Sequence, residues 1–137
     1  MLHLIKLSVG TEDVEDLAQW QDRRLKETGR VFHRTRMTPR RAEELLDGGS
    51  IYWIIKGYIQ ARQRLLAIEP IVDKQGRPDN LLILKPELIR IVPRAHRPFQ
   101  GWRYLAAKDA PADLDSLGKA AAMPPEMAAE LRELGLL

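Results

Sequence analysis

Ser50–Glu69 reads SIYWIIKGYIQARQRLLAIE, and its alternation decides the fold. Odd positions supply Ile51, Trp53, Ile55, Gly57, Ile59, Ala61, Gln63, Leu65 and Ala67, a core-like row, while even positions supply Tyr52, Ile54, Lys56, Tyr58, Gln60, Arg62 and Arg64, an aromatic and cationic row. A period of two puts the rows on opposite faces of a strand. The stretch is longer than an ordinary strand, so Gly57 is expected to mark a bulge, bend or tight corner between two pairing segments. A helix is the alternative over Gln60–Glu69, which is rich in helix formers and stops at Pro70.

Toward the N-terminus, His3–Val9 suggests an opening strand. Thr11 is expected to cap a helix ending near Gly29, with Glu12, Asp13 and Glu15 at its positive pole. Val14, Leu17, Ala18, Gln21 and Leu25 share one face of that helix, with Trp20 beside them. Arg30–Met37 reads as a strand whose buried face is open between the row of Phe32, Arg34 and Arg36 and the row of Val31, His33, Thr35 and Met37. Thr38–Pro39 is expected to start a short helix closed by Gly48 and Gly49. Beyond the central stretch, Asp73–Asn80 is a loop, and Leu81–Lys85 and Leu88–Val92 are two strands or one strand kinked at Pro86. Pro93–Tyr104 reads as irregular, and Glu126–Leu134 as a terminal helix.

These elements predict an α+β fold: a mostly antiparallel curled sheet of five or six strands, or a small barrel, with two or three flanking helices. Residues 1–108 form the expected globular domain and residues 109–137 an acidic tail packed on it or flapping over it. The expected core contains Leu4, Leu7, Val14, Leu17, Leu45, Ile51, Trp53, Ile55, Leu65, Leu82 and Leu84. A chain of 137 residues without cysteine needs no staple to fold and has no thiol chemistry. Its longest unbroken apolar run, Ile51–Ile55, is far too short to span a bilayer, and no signal peptide is evident, so a cytoplasmic location is expected.

Charge is unevenly spread: −3 over residues 1–19, +10 over 20–108 and −4 over 109–137. A basic middle is the electrostatic footprint of a polyanion binder, although an ordinary solvated surface gives the same count. Aromatic residues lie among these cations, and rings beside guanidinium groups suit stacked bases and phosphates. The expected nucleic-acid contacts are therefore Arg34, Arg36, Lys56, Arg62, Arg64, Arg94, Arg97 and Arg103 for phosphate, with Tyr58, Trp102 and Tyr104 for stacking. No P-loop, dinucleotide fingerprint, zinc-protease motif or nucleophile elbow is present, and His3, His33 and His96 are isolated, so neither a metal nor a cofactor is indicated.

The segments IYWIIKG (51–57), QARQR (60–64), LKPELIR (84–90) and above all RPFQGWRYL (97–105) resemble a family of alphaproteobacterial proteins of about this length, a domain of unknown function. The resemblance spans nearly the whole chain; it implies a bacterial origin and carries no site residues. A weaker likeness is to PUA-like and ASCH-type RNA-binding barrels, through a short helix, AEELLDGG (42–49), that leads into a strand and then a basic strand. The Gly-Lys-Lys-Thr-type turn of that group is missing. RNA binding is the leading expectation. The alternatives are an enzyme acting on a small anionic ligand through the Arg and His side chains of PRAHRPFQGWRY (93–104), and a module that docks an acidic protein or the chain's own acidic tail.

Overall fold

The central strand is Ser50–Ile55 (β3), in which all six residues are buried. It has neighbours on both edges: Leu2–Leu7 (β1) runs parallel to it and Tyr58–Val72 (β4) antiparallel. In a computed structural model that describes residues 1–114, the remaining elements are Val14–Thr28 (α1), Val31–Thr35 (β2), Ala42–Leu46 (α2), Pro78–Leu84 (β5), Ile89–Ala95 (β6) and Trp102–Ala106 (β7). Seven strands form one curled, unclosed, mostly antiparallel sheet in the order β2-β5-β4-β3-β1-β7, with β6 also paired to β4. The fold is α+β with two α-helices among the described residues. The expected terminal helix lies outside them.

Gly57 marks the tight corner between two pairing segments, β3 and β4. Lys56 and Gly57 have φ of 52° and 82°, the pair of left-handed residues that a two-residue hairpin between twisted strands requires. The bend lies within β4, whose pairing register shifts between Ile59 and Ala61 and again between Leu65 and Ala67. The first half of β4 pairs with β3 and β6 and the second half with β5, so one strand serves two sheet segments. The helix alternative for Gln60–Glu69 fails because Ala61 and Arg62 pair with strands on both sides. Pro70 fits because that half of β4 has β5 as its one neighbour.

Both faces of the sheet are covered. On one, α1 and α2 enclose a core that includes Leu4, Leu17, Leu45, Ile51, Trp53, Ile55, Leu65, Leu82 and Leu84. On the other, Ile5, Tyr52, Ile54, Ile59 and Ile91 form a second cluster under Phe99, Leu105 and Ala110. The even row of the central stretch is therefore partly core, and Leu7, expected in the main core, instead packs half-buried on this second cluster. Asp113 bridges to Ile91, and Leu114 packs on Val92.

Three boundaries move for local reasons. The cap of α1 is Asp13, whose Oδ1 accepts the Asp16 amide at 2.7 Å, whereas the Thr11 hydroxyl is engaged with Ser8. Thr38 does not cap α2, which begins at Ala42 without a side-chain cap; its hydroxyl bonds the buried side chain of Asn80 instead. The irregular reading of Pro93–Tyr104 fails at both ends, since β6 continues to Ala95 and β7 starts at Trp102.

Candidate functional site

The site begins where β1 ends. Its next residue, Ser8, donates its amide to the Ile54 carbonyl at 2.9 Å, which fastens the following turn to β3. Gly10, with φ of 80°, turns the chain, and Thr11 Oγ1 lies 2.8 Å from Ser8 Oγ. This turn, α1, β2 and the sheet centre enclose a cavity of about 300 Å³. Its lining is mostly apolar: Leu7, Leu17, Trp53 and Leu84, with Trp20 and Phe32. Val9 and Trp20 are 80% and 47% exposed and form an apolar rim. The polar side chains in the lining belong to Ser8, Thr11, Asp16, Gln21 and His33.

Gln21 explains why a polar residue sits on the buried face of α1. Its side-chain amide exchanges two hydrogen bonds, of 2.8 and 2.7 Å, with that of Gln63 on β4. Gln63 also accepts the Trp53 indole N–H at 3.2 Å and donates to the Lys85 carbonyl at 2.9 Å. Every polar atom of this pair is therefore satisfied, and the network fixes α1 and Trp53 against β4.

His33 is different. Its ring stands edge-on to Trp53 with centroids 5.4 Å apart, and Nε2 is buried with no hydrogen-bond partner among the described residues. Burial foremost, then the positive charges of Lys6 and Arg24, lowers its pKa to about 4, so the ring is neutral near pH 7. Arg24 lies over two rings, 4.1 Å from the Trp20 centroid and 4.6 Å from that of Phe32, and donates to the Phe32 carbonyl at 2.8 Å. A mostly apolar cavity open beside the half-exposed Trp20 has the composition of a small-molecule site. Sequence reading passed over His33 because the alternation of β2 left its buried face open. The available signal was the Ser-Val-Gly-Thr turn between a strand and a helix.

The cations expected to face a polyanion lie on separate elements. Arg34 and Arg36 pair with Asp79 at 2.6 Å and Asp73 at 2.7 Å on the β2–β5 side, while Lys56 reaches Glu12 at 3.1 Å from the β3–β4 turn. Arg62 makes two bonds to Asp113, of 2.7 and 2.9 Å, and holds that carboxyl group below its ordinary pKa, with a third bond to Ser50. Arg94 donates to the Asp109 carbonyl. Arg64, Arg97 and Arg103 are exposed, with the Arg103 guanidinium 4.2 Å from the Phe99 ring centroid.

Of the three expected stacking residues, Tyr58 is half-buried in the β3–β4 hairpin. Trp102 is 7% exposed and donates its indole N–H to the Met37 carbonyl at 3.0 Å. Tyr104 packs on it, with centroids 4.9 Å apart, and its hydroxyl accepts the Arg41 amide at 3.1 Å. These two rings thus brace the segment before α2. None of the Pro93–Tyr104 residues lines the cavity under α1. No group of three or more His, Cys, Asp or Glu side chains with metal-ligand geometry occurs among the described residues, and no helix there is long and apolar enough to cross a membrane.

No curated protein and no solved structure matches the chain. A family model does match, over residues 4–137, and the chain therefore belongs to the family described as "Protein of unknown function (DUF1489)".

Proposed function

We propose that this protein binds a small organic molecule in the cavity between α1, β2 and the sheet. The observation that carries this reading is a cavity of about 300 Å³ lined mainly by Leu7, Leu17, Trp20, Phe32, Trp53 and Leu84 and open beside the half-exposed Trp20. Concave, mostly apolar pockets with a few polar groups in the wall are the usual form of a small-molecule site. The cavity also opens where the chain leaves parallel strand β1, at its carboxyl end. Ligands of α/β sheets favour such ends, which gives analogous support. A fragment library screened by amide and indole chemical shifts tests the reading. Ligands are expected to move Ser8–Thr11, the His33 amide and the Trp20 indole together; a library that moves none of them overturns it.

Polyanion binding is a second reading, favoured by Arg64, Arg97 and Arg103, which are exposed and make no ion pair among the described residues. RNA is the partner this reading favours, and an acidic protein is the competing polyanion. The other expected phosphate contacts would have to exchange intramolecular partners for phosphate.

A further inference from the structure

Helix α1 covers its side of the sheet incompletely. Of the apolar row that its periodicity supplies, Val14 and Leu17 are buried, but Ala18 is exposed and Leu25 only half-buried. With buried Val31, exposed Pro86 and half-buried Leu88, these two line a groove of about 450 Å³ between the helix and the connection from β5 to β6. Gln21 divides it from the cavity described above, since it contributes to both walls. The one charged residue in the lining, Asp22, is paired with Lys26 at 3.2 Å. What the groove offers a partner is therefore mainly apolar surface.

The path of the last described residues leads to this groove. Residues 112–114 add a short antiparallel rung to β6: Val92 donates its amide to the Ala112 carbonyl at 2.8 Å, and Asp113 stands opposite Ile91. Antiparallel pairing carries the chain from Val92 back toward Leu88, which lies three residues beyond Ile91, about 10 Å at the rise of a strand. The side is fixed as well. Asp113 turns its carboxylate to Arg62, whose row faces the second cluster. Leu114 accordingly turns the other way, against Val92, on the side where Arg90 pairs with Glu15 of α1.

Residues 115–137 follow, and in them Met127, Leu131 and Leu134 recur four and three residues apart, the spacing of one row on a helix. Residues 115–125 can span up to about 36 Å, more than the gap requires. We propose that residues 126–134 of this same chain seat in the groove along α1, with Met127, Leu131 and Leu134 against Ala18, Leu25 and Leu88. A segment tethered so close is present at about millimolar effective concentration, so a modest apolar contact holds it, whereas a second copy must compete from free solution. The family match runs through residue 137, which makes this segment part of the unit the family shares.

Because the chain has no cysteine, a single nitroxide can be placed without background reaction. In the full chain carrying the label at Glu133→Cys, the amide resonances of Ala18, Gln19, Leu25 and Leu88 are expected to broaden strongly. That of Gly76, in the far turn between β4 and β5, should keep its width. Adding Ala18→Lys, at an exposed position of α1, or Leu131→Asp should restore the intensity of the groove resonances at least threefold, with circular dichroism checking that the fold is kept. A mixture of isotope-labelled chain without nitroxide and unlabelled chain with it identifies the occupant, and sharp groove resonances are expected there. Broadening in that mixture overturns the proposal in favour of a second copy. Groove resonances that stay sharp in the spin-labelled chain itself, or broadening that survives both substitutions, overturn it outright.

Discussion

At the scale of the residue, His33 reduces the stability of the unliganded protein in two ways. Its Nε2 forgoes the hydrogen bond that water gives it in the unfolded chain, and its ring resists protonation. An unpaired buried polar atom costs about 1–3 kcal/mol. His33→Phe, which keeps the edge-on contact with Trp53, is accordingly expected to raise the urea midpoint at pH 7. The pH dependence has a definite sign. The ring's pKa lies near 4 in the folded chain, against the ordinary 6.5. As pH falls below 6.5 the unfolded chain takes up a proton that the folded one refuses. Stability is therefore full above that value, declines toward pH 4 and changes no further below it for this group. The loss amounts to roughly 3 kcal/mol. Lys6 on β1 and Arg24 on α1 stay charged across this window and add to the effect. Asp113, its carboxyl pKa lowered by Arg62, loses its contribution only in more acidic solution. Urea melts at pH 5 and pH 7 should show a decline in the native chain that shrinks in His33→Phe, the remainder belonging to buried His3, whose pKa burial also lowers; an equal decline in both would remove His33 as a cause.

At the scale of the element, the joint between α2 and β3 is the least tolerant place in the fold. A Cβ at Gly49 would stand 2.3 Å from the carbonyl oxygens of both Leu2 and Leu45. The same residue donates its amide to Leu45 at 2.9 Å and accepts that of Leu65 at 3.0 Å, so three elements close on one backbone unit. Gly49→Ala is expected to cost about 3 kcal/mol, because backbone rather than a flexible side chain would have to move. Gly76→Ala makes the control, since nothing lies within 4 Å of its would-be Cβ and the strain there comes from φ alone. Thermal melts of the two variants should differ clearly, with Gly49→Ala the lower.

This scale also shows what could be read in advance. The alternation of Ser50–Glu69 was legible because Ile51, Trp53, Ile55, Ala61 and Leu65 meet in one core; Ile59 leaves the row for the opposite cluster, where the register shifts before Ala61. The helix cap was misplaced because Thr11 and Asp13 are equally good capping residues locally, and only the tertiary turn at Ser8 engages one of them. The pocket was not legible. Its wall is assembled from residues between Leu7 and Leu84 on separate elements, and no short-range periodicity encodes such a meeting.

At the scale of the whole molecule, the +10 balance of residues 20–108 overstates the available positive charge. Arg34, Arg36, Lys56 and Arg62 each face a carboxylate. Lys56–Glu12 is exposed on both sides, a kind of pair that adds about 0–1 kcal/mol, whereas Asp79, Asp73 and Arg62 are largely buried in theirs; all four pairs compete with any incoming phosphate. If polyanion binding occurs, Arg64, Arg97 and Arg103 should dominate it. Reversing these three to Glu is expected to abolish salt-dependent fluorescence anisotropy with mixed RNAs, while Arg34→Gln changes little. An Arg34→Gln loss as large as that of the triple variant would contradict this ranking.

The position of β1 between β3 and β7 bears on biogenesis. During synthesis β1 acquires one neighbour only after residue 50 and its second only after residue 102. Until β7 emerges, its apolar Leu4 and Ile5 must wait with at least one edge unzipped, so the sheet closes around β1 only once residues 102–106 are made. Sequence-distant pairing of this kind slows folding and leaves the nascent polypeptide open to wrong pairings for longer.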